Sequence, residues 1–128
     1  MTKLYLIDTV TMLRWNSTGV TIIGGLGSAQ NQLNTPLSTI VDYANNLYVV
    51  DYGNNRVQRF TFGHTTGQTL AGNGSLGCSQ YQFYLPSQMV SDSNYNLFIA
   101  DTYCHRVQFW PSKSSNVTTV AGNGMISI

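Results

Sequence analysis

The stretch PLSTIVDYANNLYVVDYGNNRVQRF, Pro36 to Phe60, is written again as PSQMVSDSNYNLFIADTYCHRVQFW, Pro86 to Trp110. Pro36 and Pro86 stand 50 positions apart (86 − 36), as do Asp51 and Asp101, so nothing is inserted between these landmarks. Part of another copy precedes them: LYLID (Leu4 to Asp8), MLRW (Met12 to Trp15) and TIIGGLG (Thr21 to Gly27). A period of this size marks one supersecondary unit laid beside the next, and solenoids, propellers and arrays are the available architectures. Such a unit cannot bury its own apolar faces. Function then belongs to a surface built from several units.

Within each unit the periodicity is that of strands. LYVVD (Leu47 to Asp51) and LFIAD (Leu97 to Asp101) are β-branched and aromatic runs bounded by turn formers. RVQRF and RVQFW alternate, offering Val57, Phe60, Val107 and Trp110 to a core. QTLAG and TTVAG are short strands closed by Gly72-Asn73-Gly74 and Gly122-Asn123-Gly124, and TIVD and MVSD supply a strand ahead of each central run. Four short antiparallel strands per fifty residues, with tight turns and no helical stretch, read as a propeller blade. A parallel β-helix, the alternative, repeats at about half that length or less.

Composition describes a polar β-protein with little charge. The 128 residues carry 9% charged side chains and a formal net charge of +1. There is no glutamate; the acids Asp8, Asp42, Asp51, Asp92 and Asp101 all fall at repeated landmarks. Six basic residues offer no strong field for nucleic acid or anionic lipid. No apolar run approaches the roughly 18 residues of a membrane span. MTKLYLID opens directly on a repeat strand without the apolar core of a signal peptide, so Met1 reads as the start of a fragment.

The order proline, short strand ending in Asp, turn, Leu-aromatic-apolar-apolar-Asp, four residues, Arg-Val-Gln resembles the NHL repeat. The likeness covers nearly the whole chain and holds in two full copies. It implies an all-β fold of NHL-type β-propeller blades, each of four antiparallel strands, in a ring commonly of six. Here the ring is incomplete, with two full blades plus most of a third. The expected division is 1–35 for the partial first blade (strands 4–8, 12–15 and 20–23) and its loop, 36–85 for the second blade and loop, and 86–128 for the third blade and tail, all one propeller domain. Two such chains would make a six-bladed ring, unless the chain belongs to a longer one. The family presents binding surfaces for protein or RNA, and some members cleave hydroxyglycine peptides with a metal. One fold hosts many functions, so the repeat alone carries none of these.

The residues themselves favour a non-enzymatic interaction module. Gly72-Asn73-Gly74-Ser75-Leu76-Gly77 matches G-x-G-x-x-G, but no helix follows it and the glycines recur at each unit boundary, so no dinucleotide cofactor is expected. Asp51 with Arg56, and Asp101 with Arg106, bracket equivalent hairpins and are expected to tie down their turns. Repetition of one pair in every unit argues for architecture, not for catalysis. His64 and His105 fall short of a zinc set, and no metal or other cofactor is assigned. Arg14, Arg56, Arg59 and Arg106 are scattered, which speaks against the alternative of an RNA-binding propeller. The other alternative is part of a metal-dependent lyase or hydrolase whose site lies in missing blades.

Cys78 falls in the loop between units and Cys104 in the next central hairpin. Connections after the second and fourth strands emerge on one face, so the two are expected to meet as a disulfide, which indicates an oxidising compartment. Sequons at Asn16, Asn73 and Asn116 point the same way, to an extracellular protein or ectodomain. On the loop face Tyr52, Tyr103 and His105 in the hairpins and Tyr81 between units are candidate contacts for a protein, peptide or glycan.

Overall fold

The computed structural model describes residues 18–124. The expected strands 4–8 and 12–15, the sequon at Asn16 and the tail 125–128 lie outside the described residues. β1 (Pro36–Val41), β2 (Leu47–Asp51), β3 (Arg56–Phe60) and β4 (Gln68–Ala71) form one antiparallel sheet in chain order. β5 (Pro86–Ser91), β6 (Leu97–Asp101), β7 (Arg106–Trp110) and β8 (Thr118–Gly122) form a second of the same order. The antiparallel ladders of both sheets remove the parallel β-helix from consideration. Residues 20–23, expected as a strand, form none. A strand exists only through its ladder, and the segment expected to pair with them, 12–15, is outside the described residues.

The register repeats with the sequence. Asp51 pairs with Arg56 and Leu47 with Phe60; Asp101 pairs with Arg106 and Leu97 with Trp110. Each β1–β2 and β5–β6 turn is assembled by its aspartate. Asp42 Oδ1 accepts from the backbone N–H of Ala44 and Asn46, and Asp92 Oδ1 from Asn94 and Asn96. The carboxylate thus replaces solvent for turn donors that the ladder leaves free. Asn46 and Asn96 return a side-chain N–H to the same carboxylates.

One connection departs from the strand-and-turn expectation. A 3-10 turn, Tyr52–Asn54 in one sheet and Thr102–Cys104 in the other, joins the two central strands. Each ends on a left-handed residue, Asn55 at φ 51° and His105 at φ 50°. Asn adopts that conformation readily, and the backbone N–H of both residues is satisfied by the carbonyl three residues back. A single tight turn of this kind carries no hydrophobic periodicity, so strand patterns cannot announce it.

The two sheets pack face to face, and the faces differ. The first sheet presents Ile40, Tyr48, Val50, Val57 and Ala71; the second answers with Met89, Leu97, Ile99 and Trp110, joined by Phe83 from the connecting loop. Because side chains alternate along a strand, these are opposite faces of equivalent strands, so stacking is directional. Val50, Val57, Phe83 and Ile99 are fully buried there. Each side chain of this size contributes about 1.5–3 kcal/mol on burial, more than any exposed pair in the molecule can supply.

Candidate functional site

The loop joining the sheets is held by the second sheet's own charges. Arg106 Nε donates to Asp101 Oδ2 at 2.8 Å, with both side chains almost wholly buried. The guanidinium also donates from Nη2 to the carbonyls of Ser79 (2.9 Å) and Gln82 (3.0 Å), while Asp101 Oδ1 accepts the Tyr84 N–H at 2.8 Å. The first sheet repeats the arrangement. Arg56 meets Asp51 at 2.8 Å and the carbonyls of Ala29 and Gln32, and Asp51 accepts the Asn34 N–H. The pairs therefore reach beyond their hairpins and clamp the preceding loop. Burial pushes the Asp101 carboxyl above the usual carboxylate range, against the pull of the Tyr84 N–H and Arg106.

Cys78 and Cys104 form a disulfide across the same seam, with Cα atoms 5.6 Å apart. Cys104 stands where Asn54 stands in the first sheet. Asn54 donates to Gly27 O at 2.8 Å and to Asp51 Oδ2, whereas Cys104 Sγ lies 3.5 Å from Gly77 O. A covalent bridge in one unit thus occupies the place of a hydrogen-bonded asparagine in the other.

The connecting loop does not stay at one end of the sheet, and this changes which aromatics meet. From Cys78 it descends to place Gln80 O against Gln108 Nε2 (3.0 Å) and Tyr81 edge-on to Trp110, with ring centroids 6.1 Å apart. Trp110 pairs with Leu97, at the strand end opposite the Asp101–Arg106 pair, about 14 Å away at a strand rise near 3.4 Å per residue. Tyr81, about half exposed, is therefore apart from the hairpin tips; its hydroxyl donates to Ser115 O. The loop then returns through buried Phe83 to Tyr84, whose carbonyl accepts the Tyr103 N–H at 3.1 Å.

Tyr84 and Tyr103 stack with centroids 5.0 Å apart and planes inclined by 25°. Phe83, the preceding residue, is buried beneath the loop, whereas Tyr84 is half-buried and reaches the surface. The signal was available in the repeat itself. Asn34 and Gly53 hold the equivalent positions in the first sheet, where a Cβ at Gly53 would meet Asn34 Cγ at 2.5 Å. Both members of the contact change together to tyrosine.

Of the candidate contacts in the hairpins, Tyr103 is 47% exposed, His105 is exposed, and Tyr52, in the first sheet's hairpin, is half-buried. His64 is exposed in the β3–β4 connection. Asn73 and Asn116 are exposed, and Asn73 Oδ1 accepts the Ser75 N–H. Among the described residues no three His, Cys, Asp or Glu side chains group to hold a metal ion, and no helix is long and apolar enough to cross a membrane. A scan of protein-family models finds no match to this chain, and a search of curated proteins likewise finds none.

Proposed function

We propose that the chain is a segment of an NHL-type β-propeller serving as an extracellular interaction module, with the Tyr84–Tyr103 stack as the centre of its contact surface. The observation that carries the reading is an aromatic pair, Tyr103 about half exposed and Tyr84 half-buried, on backbone fixed from three sides: by the Cys78–Cys104 bridge, by the Asp101–Arg106 clamp and by the Tyr103–Tyr84 hydrogen bond. Aromatics dominate binding energy at interfaces, and a surface that is ordered before binding loses less entropy on association. A shallow hollow of about 140 Å3 beside Thr21, Asn31 and Thr65 is too small for most small-molecule ligands and lies elsewhere. An extended protein, peptide or glycan partner fits the exposed rings better.

Arg56 and Arg106 are buried in ion pairs, which supports this reading over RNA binding. The test is display of the oxidised chain to glycan and peptide libraries beside Tyr84→Ala and Tyr103→Ala variants of unchanged melting temperature. Selected ligands should lose at least tenfold in affinity for either variant, matching the more than about 1.4 kcal/mol expected of an aromatic hot spot. Ligands that bind the double variant as well as the parent would refute the site.

A further inference from the structure

We propose that Asn73 is a site of spontaneous covalent modification, where the folded loop closes to a succinimide and opens to aspartyl and isoaspartyl products. The argument rests on the geometry of Asn73-Gly74-Ser75 and does not depend on any ligand. The Asn73 side chain is exposed, and its Oδ1 accepts the Ser75 N–H at 2.9 Å. That bond folds the amide back over the Gly74 peptide in an Asx turn and brings Cγ beside the Gly74 nitrogen. Gly74 is exposed at φ 80° and has no side chain to shield that nitrogen. Neither the Gly74 N–H nor Asn73 Nδ2 donates a hydrogen bond among the described residues, so nucleophile and leaving group are both unencumbered.

The reaction needs only water. The Gly74 nitrogen gives its proton to solvent base and bonds to Asn73 Cγ; the Cγ–Nδ2 bond breaks, and Nδ2 takes up a proton and leaves as ammonia. Water then adds to one of the two ring carbonyls. Cleavage of the new Cγ–N bond gives aspartate, and cleavage of the original peptide bond gives isoaspartate. During the attack negative charge develops on Oδ1, the atom that already receives the Ser75 N–H. A donor fixed where charge develops lowers the barrier, as in an oxyanion hole. Other asparagines at the seams are held differently. Asn46 and Asn96 give Nδ2 to Asp42 and Asp92 and precede leucine, and Asn54 gives Nδ2 to Gly27 O and Asp51. Asn123-Gly124 repeats the dipeptide, but Gly124 lies against the Arg106 side chain, where a Cβ would meet Cδ at 3.2 Å. The product alters the seam between the sheets. Gly72, the preceding residue, lies against Asn55 and Phe83, and Asn55 Oδ1 holds the Leu85 N–H next to Tyr84. Conversion places a carboxylate on this loop and takes the formal charge of the chain from +1 to 0 (1 − 1). The isoaspartyl form also lengthens the backbone by a methylene.

The test is incubation of the oxidised chain at neutral pH, beside the same chain reduced and unfolded in urea, with products mapped by peptide mass spectrometry and isoaspartyl methyltransferase labelling. Asn73 is also a sequon, and a sugar on Nδ2 would occupy the leaving group, so chain produced without glycosylation is used. The expected result is conversion at Asn73 about two- to tenfold faster in the folded chain than in urea, the factor that one hydrogen bond of ordinary net strength gives in a rate. Asn73→Gln, an exposed change, should keep the melting temperature and remove these products. A folded rate at Asn73 equal to or below its rate in urea overturns the proposal. So does an isoaspartate yield that Asn73→Gln leaves unchanged. Neither outcome bears on ligand binding by Tyr84 and Tyr103, which the display experiment reads separately.

Discussion

Replacing Arg106 by methionine keeps most of the apolar stem and removes the charge and every donor. The structure then holds Asp101 buried with no cation, and the carbonyls of Ser79 and Gln82 lose the donor that draws the loop inward. Breaking a buried pair from one side costs about 3–5 kcal/mol, because the remaining charge is stranded, whereas losing an exposed pair costs under about 1 kcal/mol. Arg106 and Asp101 are 5% and 0% exposed, so the larger figure applies. Urea denaturation followed by tryptophan fluorescence should show the loss as a midpoint lowered by about 2–3 M for a slope near 1.5 kcal/mol/M. The pH dependence adds a second check. Burial holds the Asp101 carboxyl above the usual range, so the folded chain binds its proton more tightly than the unfolded one. Stability from this group falls as pH rises from the ordinary carboxylate value through the raised folded one. Removing Arg106 raises the folded value further. The deficit of Arg106→Met should therefore shrink as pH is lowered from neutrality, and adding Asp101→Asn should recover part of it at neutral pH. A midpoint shift of less than about 0.7 M, or a deficit that grows on acidification, would refute the clamp as a buried charge pair.

Replacing Cys78 and Cys104 by serine together should destabilise the chain by about 3.5 kcal/mol on the loop-entropy estimate for a 26-residue separation, read as a lowered melting temperature that reductant no longer affects. Ser28 and Asn54 hold the equivalent positions in the first sheet, and Asn54 already reaches Gly27 O at 2.8 Å, so Ser28→Cys with Asn54→Cys should oxidise to a second bridge, checked by the absence of free thiol under denaturing, non-reducing conditions. For Asp42 burial raises the pKa, but hydrogen bonds from Asn46, Tyr48 and the Ala44 backbone together outweigh it; Asp92 is lowered chiefly by Asn96. Both folded values are depressed, so their stabilisation is present above the ordinary carboxylate value and is lost as pH falls through the folded one. The acid limb of the stability curve should accordingly be shallower in Asp42→Asn, Asp92→Asn double variants.

The strands, their number per sheet and the meeting of Cys78 with Cys104 were legible because each depends on local alternation or on strand direction, which the repeat displays twice. The route of residues 76–85 was not. It is set by backbone carbonyls at Ser79 and Gln82 that accept from Arg106, and a carbonyl has the same chemistry in every residue. Tyr81 was therefore placed with Tyr103 when it lies against Trp110, and the stack of Tyr103 on Tyr84 was not foreseen. What the sequence did contain is a pair of exchanges between copies, Asn34 and Gly53 against Tyr84 and Tyr103, and Ser28 and Asn54 against Cys78 and Cys104. Each exchange replaces both members of a spatial contact. Both fall along the seam that the Asp–Arg clamp fixes, while the clamp itself is unchanged in the two units. Positions held constant between copies are those that draw the loop onto its sheet; of the pairs exchanged, one alters the surface and the other, with Cys104 buried, alters how the seam is fastened. A covalent bridge and a ring stack at the second seam, where the first has hydrogen bonds and a glycine, make that seam stiffer and more apolar. Those are the two properties on which the proposed contact surface rests.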